Sequence, residues 1–118
     1  MSDVLDVSVL KVLQQDLGKD SIAELVYGAL RDVKDRFGKA DVAIKLSDRN
    51  QVRYLAHSIK SNLSTCGALK AADIALILEQ KSMTASMEQL RAIYTELEGE
   101  MKQAEVMILQ YVTSPKNP

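Results

Sequence analysis

The sequence predicts an all-α chain, an antiparallel four-helix bundle with an additional N-terminal helix, and three observations carry that expectation. Apolar residues recur at three-and-four spacing through most of the 118 residues, the period of a helix with one buried face. Only five Gly and two Pro are present, both Pro within the last four residues, which leaves little turn chemistry for a sheet. The intervals between the apolar stripes are short, and short connections favour antiparallel neighbours.

The first stripe is Val4, Leu5, Val9, Leu10, Leu13 and Leu17, and it stops at Gly18, where a left-handed residue is cheapest. Ser21-Ile22-Ala23-Glu24 then reads as a capping box. It precedes a stripe of Ile22, Leu25, Val26, Ala29, Leu30, Val33 and Phe37, with Gly38 ending that helix. Residues 39–47 give a shorter helical piece with Val42, Ala43 and Leu46 on one side. Asp48 is placed to cap a long helix over about 49–66, and a further helix covers about 69–81 with Ala72, Ile74, Ala75, Ile77 and Leu78. The last helix runs from about 84 to 112, with Met87, Leu90, Tyr94, Leu97, Met101, Ile108 and Tyr111 inward. Gly99 falls off that inward face, where it costs roughly 1 kcal/mol against Ala. The expected organisation is a single domain over 1–113 and a flexible C-terminal tail over 114–118.

Composition narrows the function. Fifteen basic and 16 acidic residues give a net charge of -1 and a pI of 5.8, which argues against nucleic acid as a partner. No apolar run approaches the roughly 20 residues of a membrane span, and Met-Ser-Asp-Val lacks a secretory signal pattern, so the expected location is cytoplasmic, away from membranes. The single Cys66 forbids an internal disulfide and suits a reducing compartment. It falls on an apolar stripe and reads as a buried small hydrophobe. One His and one Cys exclude a Cys/His zinc site within one chain, and no metal site is expected. Met87 and Met101 read as core filling. Arg31, Lys34, Arg36 and Lys39 form a solvated basic face that would also steer an acidic partner.

A helical wheel of the long helix isolates the one chemically distinctive side chain. With Val52 as origin and about 100° per residue, Leu55, Ala56, Ile59, Leu63 and Cys66 fall within about 60° and form the core stripe. His57 falls at about 140°, in a ridge with Arg53, Lys60, Ser61 and Ser64, and Tyr54 also lies off the stripe. The only histidine therefore points to solvent from mid-helix. A neutral imidazole has a free ring nitrogen for nucleophilic attack. Lys60 at i+3 and Arg53 at i-4 are surface neighbours able to stabilise an anion on the ring. The ridge holds no second histidine, no evident carboxylate beside the ring and no Gly-rich phosphate loop.

The stretch Ala56-His57-Ser58-Ile59-Lys60-Ser61-Asn62-Leu63-Ser64-Thr65-Cys66-Gly67-Ala68, followed by Leu78-Glu79, resembles the signature of histidine-containing phosphotransfer (HPt) domains. Leu17-Gly18 upstream and Asp48, nine residues before the histidine, extend the likeness over nearly the whole chain. The resemblance implies a four-helix bundle whose His57 takes a phosphoryl group from the aspartate of a response-regulator receiver domain and hands it to another. One such receiver would belong to a hybrid histidine kinase. Lys60 would steady the phosphoryl oxygens, with Arg53, Ser61 and Ser64 beside the phosphoryl group or in the docking surface. Gly67 would let the end of the His helix approach the next helix, with Ala68 filling that junction. The chain would need no cofactor of its own, Mg²⁺ residing on the partner receiver. It would be a monomeric phosphocarrier without autonomous kinase activity. Many members of the family have Gly where Ser61 stands, a departure that bears on partner choice.

Two other readings compete. An HPt-like bundle that binds a receiver or kinase without carrying phosphate would make His57 dispensable. A dimerisation or scaffold domain would rest on the final helix alone, where heptads are not sustained. The initiator Met and the lack of a linker favour a stand-alone shuttle over an excised domain.

Overall fold

The computed structural model of the chain describes residues 3–113. Its elements are α1 (Val7–Leu17), α2 (Lys19–Lys45), α3 (Arg49–Thr65), α4 (Leu69–Lys81) and α5 (Met87–Thr113). α2 packs on α3, α3 on α4, α4 on α5 and α5 back on α2, closing a ring of four helices with α1 laid along α2. The connections, residues 46–48, 66–68 and 82–86, are too short for a crossover, so neighbours run antiparallel. The tail expected at 114–118 lies outside the described residues. Among the described residues no helix is long and apolar enough to cross a membrane.

The helix ends show where local chemistry acts. Asp48 caps α3 as expected, its carboxylate accepting from the Gln51 amide at 3.2 Å. The reciprocal cap falls elsewhere than at Ser21. Ser86 and Gln89 form it at the start of α5, with the Gln89 amide donating to Ser86 Oγ at 3.1 Å and the Ser86 amide donating to Gln89 Oε1 at 2.9 Å. Ser21 lies inside α2, because Gly18 joins the first two helices alone. At φ 86 and ψ 166 its backbone is in a region essentially closed to other residues. Its amide closes α1 on the Gln14 carbonyl, and its carbonyl opens α2 by accepting from the Ile22 amide.

Gly38 does not end a helix, and the separate piece at 39–47 does not exist. α2 runs through both to Lys45 because Ala40, Ala43 and Ile44 continue its buried face, and that burial outweighs the helix penalty of one glycine. The phase differs from the expected one, leaving Val42 and Leu46 exposed. The stop comes at Ser47, whose left-handed φ of 56 lets the Asp48 amide reach back to the Ala43 carbonyl at 2.8 Å. Leu17, Leu25 and Ile77 also face solvent, contrary to the sequence stripes.

The core lies between the four ring helices, with Val26, Val33, Val52, Ile59, Leu63, Leu78, Leu90, Leu97 and Ile108 almost fully buried. Each such side chain contributes about 1.5–3 kcal/mol by leaving water. Across the α2–α5 seam the Tyr94 hydroxyl donates to the Phe37 carbonyl at 3.0 Å, and the two rings meet edge to face at 5.6 Å. Burial, more than the nearby Glu98 and Asp41 charges, pushes the Tyr94 hydroxyl up to about 12. Arg91 covers that ring and donates to Asp41 at 2.6 Å. Lys45 and Arg91 together hold the Asp41 carboxyl below the usual carboxylate range.

The α3–α4 turn needs its glycine. Gly67 has φ +79, and a Cβ there would sit 2.6 Å from the Asp6 carbonyl oxygen. The close approach is thus to the segment before α1, not to the next helix as the family resemblance implied. The Asp6 amide donates to the Gly67 carbonyl at 2.7 Å, and the Lys70 amide donates to the Asp3 carbonyl at 3.1 Å. Ala68 fills the junction, fully buried. Two glycine substitutions should therefore have opposite signs. Gly67→Ala is expected to cost about 2–3 kcal/mol from backbone strain and the clash. Gly38→Ala, where a Cβ meets nothing within 4 Å, should stabilise by about 0.5–1 kcal/mol. Urea unfolding of both variants checks the pair.

Candidate functional site

Burial of Val52, Leu55, Ala56, Ile59 and Leu63 fixes the rotation of α3 about its axis, and this rotation puts His57 on the outer face toward α4. The ring is 62% exposed. Its Nδ1 lies 3.0 Å from Glu79 Oε2 on α4, and Lys60 Nζ lies 3.4 Å from Glu79 Oε1. One carboxylate therefore bridges the imidazole and the ammonium. Glu79 is 23% exposed and Lys60 28%, so these charges sit at the rim of the core with their tips in reach of a partner.

A carboxylate oxygen can only accept, so Nδ1 carries the ring hydrogen and the neutral imidazole keeps its lone pair on Nε2. That nitrogen, on the far side of the ring, is the one available to attack an electrophile. The expectation of no carboxylate beside the ring is overturned, because it considered α3 alone. Leu78 points into the core and fixes the rotation of α4, which leaves Glu79 at the α3 side of the bundle. The signal available in the sequence was the three-residue connection, which makes α3 and α4 adjacent, together with a Glu next to an inward Leu.

Arg53, Ser61 and Ser64 lie exposed on the same ridge as the histidine. No hydrogen bond or ion pair among the described residues joins them to the ring, and the Ser61 carbonyl accepts from Thr65 Oγ1 at 3.1 Å. Tyr54 is 65% exposed one turn before His57. Cys66 is buried at the end of α3, and desolvation pushes its thiol up to about 11, which keeps it protonated and inert at neutral pH. Among the described residues no cluster of three or more His, Cys, Asp or Glu is placed to hold a metal ion.

Fold and site together define a helical-bundle module that presents one surface imidazole, backed by a carboxylate and an ammonium. The sequence model of the Hpt domain matches residues 24–106, and the chain belongs to this family, the histidine phosphotransfer domains that work with receiver domains in phosphorelays. The fold is also that of histidine-containing phosphotransfer protein B from Pseudomonas aeruginosa PAO1, known from a crystal structure. The two superpose with a TM-score of 0.87 at 24% identity, over 95% of this chain and 96% of that one. No curated protein is similar to this chain in sequence.

Because the ring is held by one rim contact, His57→Gln should leave stability within about 0.5 kcal/mol of the parent. Chemical denaturation followed by circular dichroism checks this, and loss of the folded helices would make His57 structural. Cys66 should resist iodoacetamide at pH 8 in the folded chain and react once guanidinium unfolds it. The stability linked to its raised thiol value is fully present below the unfolded value near 9 and is lost as pH rises from there through about 11.

Proposed function

We propose that this chain carries a phosphoryl group on His57, accepting it from the aspartate of one receiver domain and passing it to another. The exposed imidazole with Nδ1 against the Glu79 carboxylate is the observation that carries the reading. In the forward step the Nε2 lone pair attacks the aspartyl phosphate, a P–N bond forms, and the P–O bond breaks to return the aspartate carboxylate. The ring keeps its Nδ1 hydrogen, so the phosphorylated imidazole is cationic, and Glu79 at 3.0 Å offsets that charge. In the second step an aspartate of the next receiver attacks phosphorus and the ring leaves neutral.

Lys60 supplies the cation for the phosphoryl oxygens. Its ammonium stands 3.4 Å from Glu79, the carboxylate that also meets the ring. Arg53 and Ser61, one helical turn to either side of His57, and Ser64 a further turn on, contact the phosphoryl group or the docked receiver. Mg²⁺ and the acidic pocket come from the receiver, because phosphoryl transfer is positioning and charge neutralisation and these groups already surround the aspartate. The chain works as one domain over 1–113, as a monomer in the cytoplasm, with a receiver of a hybrid histidine kinase among its partners. It is a carrier, not a kinase.

Incubation with a panel of phosphorylated receiver domains and Mg²⁺ tests this. The expected result is acid-labile, base-stable phosphate on the chain, absent from His57→Gln. Receiver binding with no transfer from any member of the panel would overturn the reading in favour of an interaction module. Lys60→Ala should slow the transfer about tenfold or more, the loss of roughly 1.4 kcal/mol of charge stabilisation in the transition state. Rapid-quench kinetics with the one active receiver measures it.

A further inference from the structure

Glu79 stands in the last turn of α4, three residues before the C-cap Ser82. The last turn of a helix leaves carbonyls without internal partners and is the part that frays first. Here the end is closed by a residue of the histidine helix. Arg49, the first residue of α3, donates through Nη1 to the Ser82 carbonyl at 2.9 Å and to the Ala85 carbonyl at 2.6 Å. Ser82 is fully buried, and its own Oγ donates to the Glu79 carbonyl at 2.7 Å. A continuous set of bonds thus runs from Arg49 through Ser82 to the backbone of Glu79, and from the Glu79 carboxylate back to His57 on α3.

We infer that Arg49 is a positioning residue for the histidine, its guanidinium closing the end of α4 so that the Glu79 carboxylate stays against Nδ1 of His57. Arg49 and His57 are eight residues apart, about 12 Å along α3, so the guanidinium acts through the α4 terminus and touches neither the ring nor a phosphoryl group on it. The carboxylate contact is to a largely exposed ring and is worth only about 1 kcal/mol by itself. It cannot hold a fraying helix end in place, whereas two charge-assisted bonds to the carbonyls of the C-cap Ser82 and of Ala85 just beyond it can. A displacement of about 1 Å is enough to lose a positioned contact. The kinetic consequence rests on the carrier reading above, while the effect on the ring rests on geometry alone.

The test uses the full chain with ¹⁵N in the histidine ring. In the parent, Nδ1 carries the hydrogen and Nε2 shows the shift of an unprotonated nitrogen. Arg49→Met removes both bonds while keeping an apolar stem. It is expected to move both ring nitrogens toward averaged shifts as the tautomers mix, and to slow phosphoryl uptake from the active receiver about tenfold. Arg49→Lys should restore part of both. In a Glu79→Ala background Arg49→Met should add no further slowing, since the carboxylate contact through which it acts is gone. All variants are compared at a temperature where circular dichroism shows the full helical signal, and Arg49→Lys carries the test if Arg49→Met does not fold.

Unchanged ring shifts in the folded Arg49 variant would overturn the inference. So would equal slowing with and without the Glu79 carboxylate, which is the mark of a merely structural arginine. If the parent takes phosphate from no receiver, the carrier reading fails separately, and the ring shifts still decide the role of Arg49.

Discussion

The turn at residues 66–68 determines which residues of α4 stand beside which residues of α3, and its geometry is set by the approach of the Asp6 carbonyl to Gly67. With φ at +79 and the carbonyl oxygen 2.6 Å from a would-be Cβ, only glycine fits without strain. The N-terminal segment then closes the turn from outside through the Asp6–Gly67 and Lys70–Asp3 backbone bonds. This gives the first helix a purpose beyond covering α2. Asp6 caps α1 with its side chain, accepting from the Ser8 amide at 3.0 Å, and holds the α3–α4 turn with its backbone. A slip of one residue in that turn would rotate Glu79 by about 100° around α4, away from His57.

The chemistry asks for a nucleophile that is exposed yet held in one tautomer. Exposure is needed because the donor is the aspartate of another protein. It also weakens each contact, since rim charges in water are worth little singly. The molecule meets both demands by putting the weak part on rigid supports. His57 is carried mid-helix on α3, where neighbouring turns fix its backbone, and the carboxylate comes from α4 at the partly buried rim. A buried imidazole would be better oriented but unreachable, and a histidine on a loop would be reachable but unaimed.

Much of this was legible in the sequence, and the failures have physical causes. The α3 wheel placed Val52, Ile59 and Leu63 in the core and His57 outside, because a single stripe on a polar helix leaves one choice of rotation. Asp48 was readable as a cap for the same reason: its side-chain chemistry is local. Gly38 was misread because a glycine carries the same local cost in the middle of a helix as at its end. Only the burial of Ala40, Ala43 and Ile44, a tertiary effect, decides which it is. The true stop at Ser47 has no sequence signal, since left-handed serine is uncommon and held there by the Asp48–Ala43 bond. Ser21–Glu24 matched the capping-box pattern but lost to the backbone freedom of Gly18 three residues earlier. Glu79 was visible as part of the Leu78-Glu79 pair of the family signature, but its contact with His57, like that of Arg49 with the α4 end, exists only between helices, and periodicity within one helix carries no information about what faces it across a seam.

The distribution of strong and weak contacts around the ring of helices follows from the same division. The α2–α5 seam holds the buried Tyr94–Phe37 bond, the edge-to-face rings and the Asp41–Arg91 pair, and it lies on the opposite side of the ring from the α3–α4 seam that bears His57. The Tyr94–Phe37 bond is buried and geometrically exacting, and so costly to disturb. The histidine side carries instead an exposed ridge whose residues, His57, Arg53, Ser61 and Ser64, can change partners without loss of core packing. The buried tyrosine bond and the exposed histidine thus lie on opposite seams of the ring. Arg49 is a structural cap on the histidine seam, placed at its far end, where it can steady Glu79 without occupying the surface a receiver must reach.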